Sequence, residues 1–135
     1  MRYRGARRYD LTVPLNLVQS LAESSSSPDG DVLAERENAV SWLRSASLLA
    51  DDAAITNSEH GALLRLRDAL SDLRAARAAG RQDPEAAARL SRALADGRLV
   101  VTVTPEGAVK LTSSARAPYS SAVAAIAIAV AEAGV

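Results

Sequence analysis

Leucine, valine and isoleucine recur along this chain at helical spacing, except in one stretch where the period drops to two. Leu15, Leu17, Val18 and Leu21 give a short apolar face, and Pro14 suits the first position of the helix that carries it. Leu11 to Val13, just ahead, could start a short strand. Ser24 to Gly30 is rich in serine, proline and glycine and is expected to be a linker without an element. A second helix is expected over Ala34 to Leu49, with Val40 and Leu43 inward and Trp42 and Leu48 at its margins. Asp51 to Ser58 reads as a loop.

The clearest periodicity follows. Leu63, Leu66, Leu70 and Leu73 form a core-facing stripe on a helix expected from Ser58, its N-cap, to Ala79, with Gly80 as its stop. Asp83-Pro84-Glu85 supplies a cap, a first-position proline and a first-turn acid for another helix, running to about Asp96 with Leu90 and Leu94 inward. Gly97 ends it. Leu99 to Thr104 then alternates and is rich in β-branched residues. Pro105-Glu106-Gly107 is a turn, and Ala108 to Thr112 returns as the second strand of a hairpin.

The last helix, Tyr119 to about Ala133, is opened by Pro118 and is apolar on nearly every side. Val123, Ile126, Ala127 and Val130 make one stripe, while Ala122, Ala125, Ile128 and Ala129 make the opposite side apolar too. A small domain usually buries one such face, so Val123, Ile126, Ile128 and Val130 are expected to contribute to a homodimer interface. The bland alternative is a helix sandwiched by the rest of the domain in a monomer.

Composition fits this picture: a small α+β domain of helices around a short antiparallel hairpin. The 135 residues suffice for one domain, 48% of them apolar and 24% charged. Much of the apolar share is alanine, and there is no phenylalanine, so the aliphatic residues must carry the core. The chain has no cysteine, which excludes disulfides and cysteine-type zinc sites and suits a cytoplasmic protein. The longest near-apolar run, Ala122 to Ala131, is about half of a membrane crossing.

Sixteen basic and sixteen acidic side chains cancel, which argues against a dedicated nucleic-acid binder. Arg2, Arg4, Arg7 and Arg8 crowd the first residues. Residues 1–10 are therefore expected to be a basic flexible arm, and residues 11–135 the single domain.

No catalytic constellation is present. His60, with Glu59, Asp51 and Asp52 nearby, makes a poor metal set, and adjacent aspartates in a loop are usually solvated. There is no glycine-rich phosphate loop, nucleophile elbow or HExxH string. No enzyme activity, cofactor or metal is expected.

Four residues invite a binding reading. Arg67, at the edge of the leucine stripe, either makes a structural salt bridge or aims its fork at a ligand carboxylate. Asn16 and Gln19 are three apart and can share a helix face, as ligand contacts or as buried partners of the hairpin edge. Trp42 is either core or a stacking surface for a planar ligand.

The order of elements, with Leu15-Asn16-Leu17-Val18-Gln19-Ser20, Asp31-Val32-Leu33 followed by Val40-Ser41-Trp42-Leu43, and the helix Leu64 to Leu73, resembles the ABATE domain. That is the amino-terminal domain of CGNR zinc-finger proteins, described as stress-induced transcription regulators of bacteria. The resemblance spans Leu11 to Ala133. Asn16 and Gln19 stand where the family usually has Asp and Asn. The zinc ribbon with the Cys-Gly-Asn-Arg signature would follow the last helix, but this sequence ends at Val135 without a cysteine.

The resemblance implies the effector-sensing part of a regulator. A small organic effector would bind among the first helix, the long helix and the hairpin, and the chain alone would read no DNA sequence. The alternative is an interaction module whose last helix dimerises or docks on a regulator partner.

Overall fold

A computed structural model of the protein describes residue 11 and residues 13–135. Residues 1–10, expected to be a basic arm, lie outside the described residues. Leu11 is in a turn and Val13 in a bend. Five α-helices follow among the described residues, with a two-stranded antiparallel sheet before the last. They are α1 (Pro14–Ala22), α2 (Arg36–Ser45), α3 (Asn57–Ala78), α4 (Pro84–Leu94), β1 (Leu99–Val103), β2 (Val109–Ser113) and α5 (Pro118–Ala133). The α+β class is as expected, but the helices pack on one another and the hairpin stands at their side, with nearly every strand residue exposed.

The core is aliphatic. Leu17, Val18 and Leu21 of α1 meet Leu63, Leu66 and Leu70 of α3 and Val123 and Ile126 of α5, with Leu43 of α2 and Leu33 and Ile55 from the loops. Leu73, the last position of the α3 stripe, is only half-buried.

Helix ends follow their caps. α3 starts at Thr56, not Ser58: the Thr56 hydroxyl accepts from the Glu59 amide (3.0 Å) and the Glu59 carboxylate accepts from the Thr56 amide (2.9 Å), a capping box that fixes the boundary. Asp83 caps α4 as expected, accepting from the Ala86 amide at 3.0 Å.

α2 is shorter than expected. It closes when Ser47 turns left-handed (φ 62°) and the Leu48 amide donates back to the Leu43 carbonyl at 2.8 Å. A glycine would announce such a stop in the sequence; serine does not. Nor is the Ser24–Gly30 stretch the featureless linker its composition suggests. Ser24–Ser26 forms a 3₁₀ turn, and Ser24 is buried with its hydroxyl donating to the Leu21 carbonyl (2.8 Å).

The hairpin is held at its base. A Cβ on Gly97 would lie 2.8 Å from the Ala124 nitrogen and 2.9 Å from its Cα, so backbone touches backbone where the 3₁₀ turn before β1 meets α5. Arg98 then takes a left-handed conformation (φ 51°) to launch β1. No helix among the described residues is long and apolar enough to cross a membrane.

Candidate functional site

Arg67 is buried, and its charge is already spent within the protein. Nη1 donates to the Asp31 carboxylate at 2.6 Å and makes a longer contact of 3.5 Å with the Ser24 hydroxyl, while Nε donates to Asp68 at 2.9 Å. Burial disfavours the charged guanidinium, and the hydrogen bonds it donates to Asp31 and Asp68 more than offset it, leaving its pKa above the ordinary value. In turn the Arg67 hydrogen bond holds the Asp31 carboxyl below its ordinary 3.8 against the opposing effect of burial, with help from the Leu33 amide.

The result is a clamp. It ties the Ser24–Leu33 segment to α3, and the His60 ring joins it by donating from Nε2 to the Leu33 carbonyl at 2.7 Å. His60 is thus a structural donor in the first turns of α3. Asp51 and Asp52 are exposed in a turn, and no three His, Asp or Glu side chains converge on a metal position among the described residues.

The four residues singled out for ligand binding do not converge on one cavity. Trp42 is half-buried and walls a cleft of about 310 Å³ with Ser20, Glu23, Ser24, Ser26, Ser27, Pro28 and Val32. This cleft lies between the end of α1, the serine turn and α2, away from the hairpin. Gln19 touches it indirectly, through a 3.4 Å hydrogen bond to Glu23. Asn16 lies one turn earlier on α1, half-buried and hydrogen-bonded or otherwise engaged. Arg67 reaches Ser24 but does not line the cleft itself.

A larger cleft, about 430 Å³, opens between α3 and α4, and sequence reasoning missed it. Ala62, Arg65 and Asp68 line it from α3, Arg89, Arg92 and Ala93 from α4, and Asp96 from the turn beyond. Arg89 is engaged, donating from Nη2 to Asp72 at 3.2 Å, although its Nε is enclosed without a hydrogen-bond partner. Among the described residues Arg65 and Arg92 take part in no hydrogen bond or ion pair.

The lining sets Ala62 and Ala93 among three arginines and two aspartates, and Asp68 is already paired with Arg67. Such a site suits an anion with a compact apolar body, because the guanidinium fork matches carboxylate and phosphate. The only signal in the sequence was i, i+3 spacing of arginines on an ordinary helix, which usually marks a solvated face.

Tyr119, at the start of α5, is buried with its hydroxyl unpartnered, within electrostatic range of Asp96, Glu59 and Arg65. Burial, followed by the nearby Asp96 and Glu59, pushes the phenol well above its ordinary value.

The residues expected at a dimer interface separate. Val123 and Ile126 are fully enclosed in the core and present nothing to a second chain, whereas Ile128 and Val130 are half-buried. α5 is covered on several sides at once, by α1, α4, the turn after α4 and β2.

No curated protein and no solved structure matches the chain. A family model does: ABATE, described as "Putative stress-induced transcription regulator", matches residues 11–133. With nearly its whole length matched, from the turn before α1 to the end of α5, the chain belongs to the ABATE family.

Proposed function

We propose that this chain is the effector-sensing part of a stress-responsive transcription regulator, and that the effector is a small organic anion held between α3 and α4. The observation that carries the reading is the pair of uncommitted guanidinium groups, Arg65 and Arg92, on opposite helices over the Ala62–Ala93 floor. A volume of about 430 Å³ falls within the range of ligand pockets. Asp96 at one end favours a ligand that offers a donor there, such as an amino acid or a hydroxylated phosphate ester. On this reading the chain does no chemistry, works in the cytoplasm and reads no DNA sequence by itself.

Titration calorimetry with monocarboxylates, amino acids and phosphate monoesters tests it. One class should give saturable binding that weakens at least tenfold in Arg92→Ala and in Arg65→Ala, while the melting temperature without ligand stays put. No saturable heat from any class at millimolar concentration would end the proposal.

A second reading rests on Trp42. An aromatic face beside the Glu23 carboxylate and several serine hydroxyls suits a small organic cation. Gln19 would orient Glu23, and Arg67 would fix Ser24 from behind; Asn16, on the same helix, would act only through the packing of α1. Because the two clefts call for ligands of opposite charge, adding amines to the same panel, with Trp42→Ala as the variant, separates them.

A further inference from the structure

The charged groups of the α3–α4 cleft divide into spent and unspent. Arg89 is held by Asp72 at 3.2 Å and, less closely, by Glu85 at 4.0 Å, and Asp68 is held by Arg67 at 2.9 Å. Arg65, Arg92 and Asp96 remain. Among the described residues none of these three side chains takes part in a hydrogen bond or ion pair.

Their placement follows from the helix pair. The short connection 79–83 turns α4 back along α3, and the Arg89–Asp72 bond sets the register. Arg65 lies seven residues before Asp72, and Asp96 seven residues after Arg89, so the two stand on facing walls of the same cleft. Arg92 is one turn before Asp96, since the 3₁₀ turn Ala95–Gly97 continues α4 directly. Arg65 and Asp96 carry opposite charges, yet no ion pair joins them. The Tyr119 hydroxyl, enclosed and without a hydrogen-bond partner, lies within electrostatic range of both.

We infer that the ligand of this cleft is a zwitterion, an α-amino acid with an aliphatic side chain, whose carboxylate is taken by Arg65 and Arg92 and whose ammonium is taken by Asp96. The inference rests on the effector reading of the cleft and narrows it. A plain carboxylate satisfies the two arginines but brings nothing to Asp96. A phosphate ester brings two negative charges towards that same aspartate, and a plain amine brings a third positive charge up to two guanidinium groups. A molecule with both signs on one carbon answers all three side chains at once. Its side chain is then left to lie against Ala62 and Ala93, whose single methyl groups leave room for it.

Titration calorimetry of the full chain with three matched probes is the test: L-valine, isovalerate, which lacks only the amino group, and L-valinamide, which keeps the ammonium but has no carboxylate. L-Valine should bind saturably, and the other two should each bind about tenfold more weakly or worse, the usual effect of losing a hydrogen bond to a charged group. Asp96→Asn should bring L-valine down to the affinity of isovalerate and leave isovalerate unchanged, whereas Arg92→Ala should weaken both. Isovalerate binding as tightly as L-valine overturns the inference and leaves the anion reading standing, as does an L-valine affinity that Asp96→Asn does not alter. No saturable heat from L-alanine, L-valine and L-leucine alike also overturns it; the effector reading falls with it only if monocarboxylates and phosphate monoesters are equally silent.

Discussion

Arg67 and Asp31, thirty-six residues apart in the chain, meet at 2.6 Å where α3 passes beneath the loop that follows the serine turn. The guanidinium is almost wholly buried while the carboxylate keeps about a third of its surface in water (5% and 31% exposed). The pair therefore differs from a surface ion pair, whose contribution is usually negligible, and from a fully buried one, whose desolvation cost is large.

Replacing Arg67 with methionine keeps much of the buried volume but strands Asp31. The expected loss is about 2 kcal/mol at neutral pH, within the range for a hydrogen bond to a charged group. The loss depends on pH. Asp31 titrates lower in the folded chain than in the unfolded one, so its contribution is present above its unfolded value of 3.8 and disappears as pH falls through the folded value. Urea titrations of wild type and Arg67→Met should differ fully at pH 7 and converge below about pH 4. A gap that stays constant across that window would mean that Arg67 acts through packing alone.

Gly97→Ala tests the anchor of the hairpin. The new methyl would meet the backbone of Ala124 at 2.8 and 2.9 Å and that of Val123 at 3.1 Å, and backbone atoms cannot rotate aside. The expected cost is about 1–3 kcal/mol, typical of overpacking. Differential scanning calorimetry should show it as a melting temperature lower by several degrees.

Tyr119→Phe should leave stability unchanged or raise it by about 0.5–1 kcal/mol, because the hydroxyl is enclosed without a hydrogen-bond partner and its removal ends a desolvation cost. Thermal melts of the two proteins in the same buffer decide this. A clear destabilisation would reveal a partner for the hydroxyl, for example a bound water.

Thr56→Ala removes the side-chain half of the capping box at the start of α3. A loss of about 1 kcal/mol is expected, and Thr56→Ser should restore nearly all of it. Guanidinium midpoints at unchanged slope are the readout.

Local chemistry made much of this fold legible. Leu63, Leu66 and Leu70 had to share a face, Asp83-Pro84 had to begin a helix and Gly80 had to end one, because those rules act over a few residues and are written in adjacent positions. The hairpin was legible for the same reason: the period falls to two between Leu99 and Thr112 and a Pro-Glu-Gly turn sits between the strands. The family resemblance rested on this same leucine spacing and cap order, and the family match covers the same span.

Tertiary structure decided the rest, since charge and burial are settled between residues far apart. Arg67 could have served a ligand until Asp31 arrived from thirty-six positions away. Serines 24–26 looked like a linker until the Leu21 carbonyl and Arg67 gave Ser24 a buried place. Val123 and Ile126 read as half of a two-sided surface until α1 and its neighbours enclosed α5. The arginine cleft had only the i, i+3 spacing of Arg89 and Arg92 to announce it, and alternation along the hairpin did not say that both of its sides would stay exposed, because each depends on which side of an element its neighbours leave open. Periodicity gives the side that must be buried; only the packing of the whole chain determines what is left exposed and what faces it.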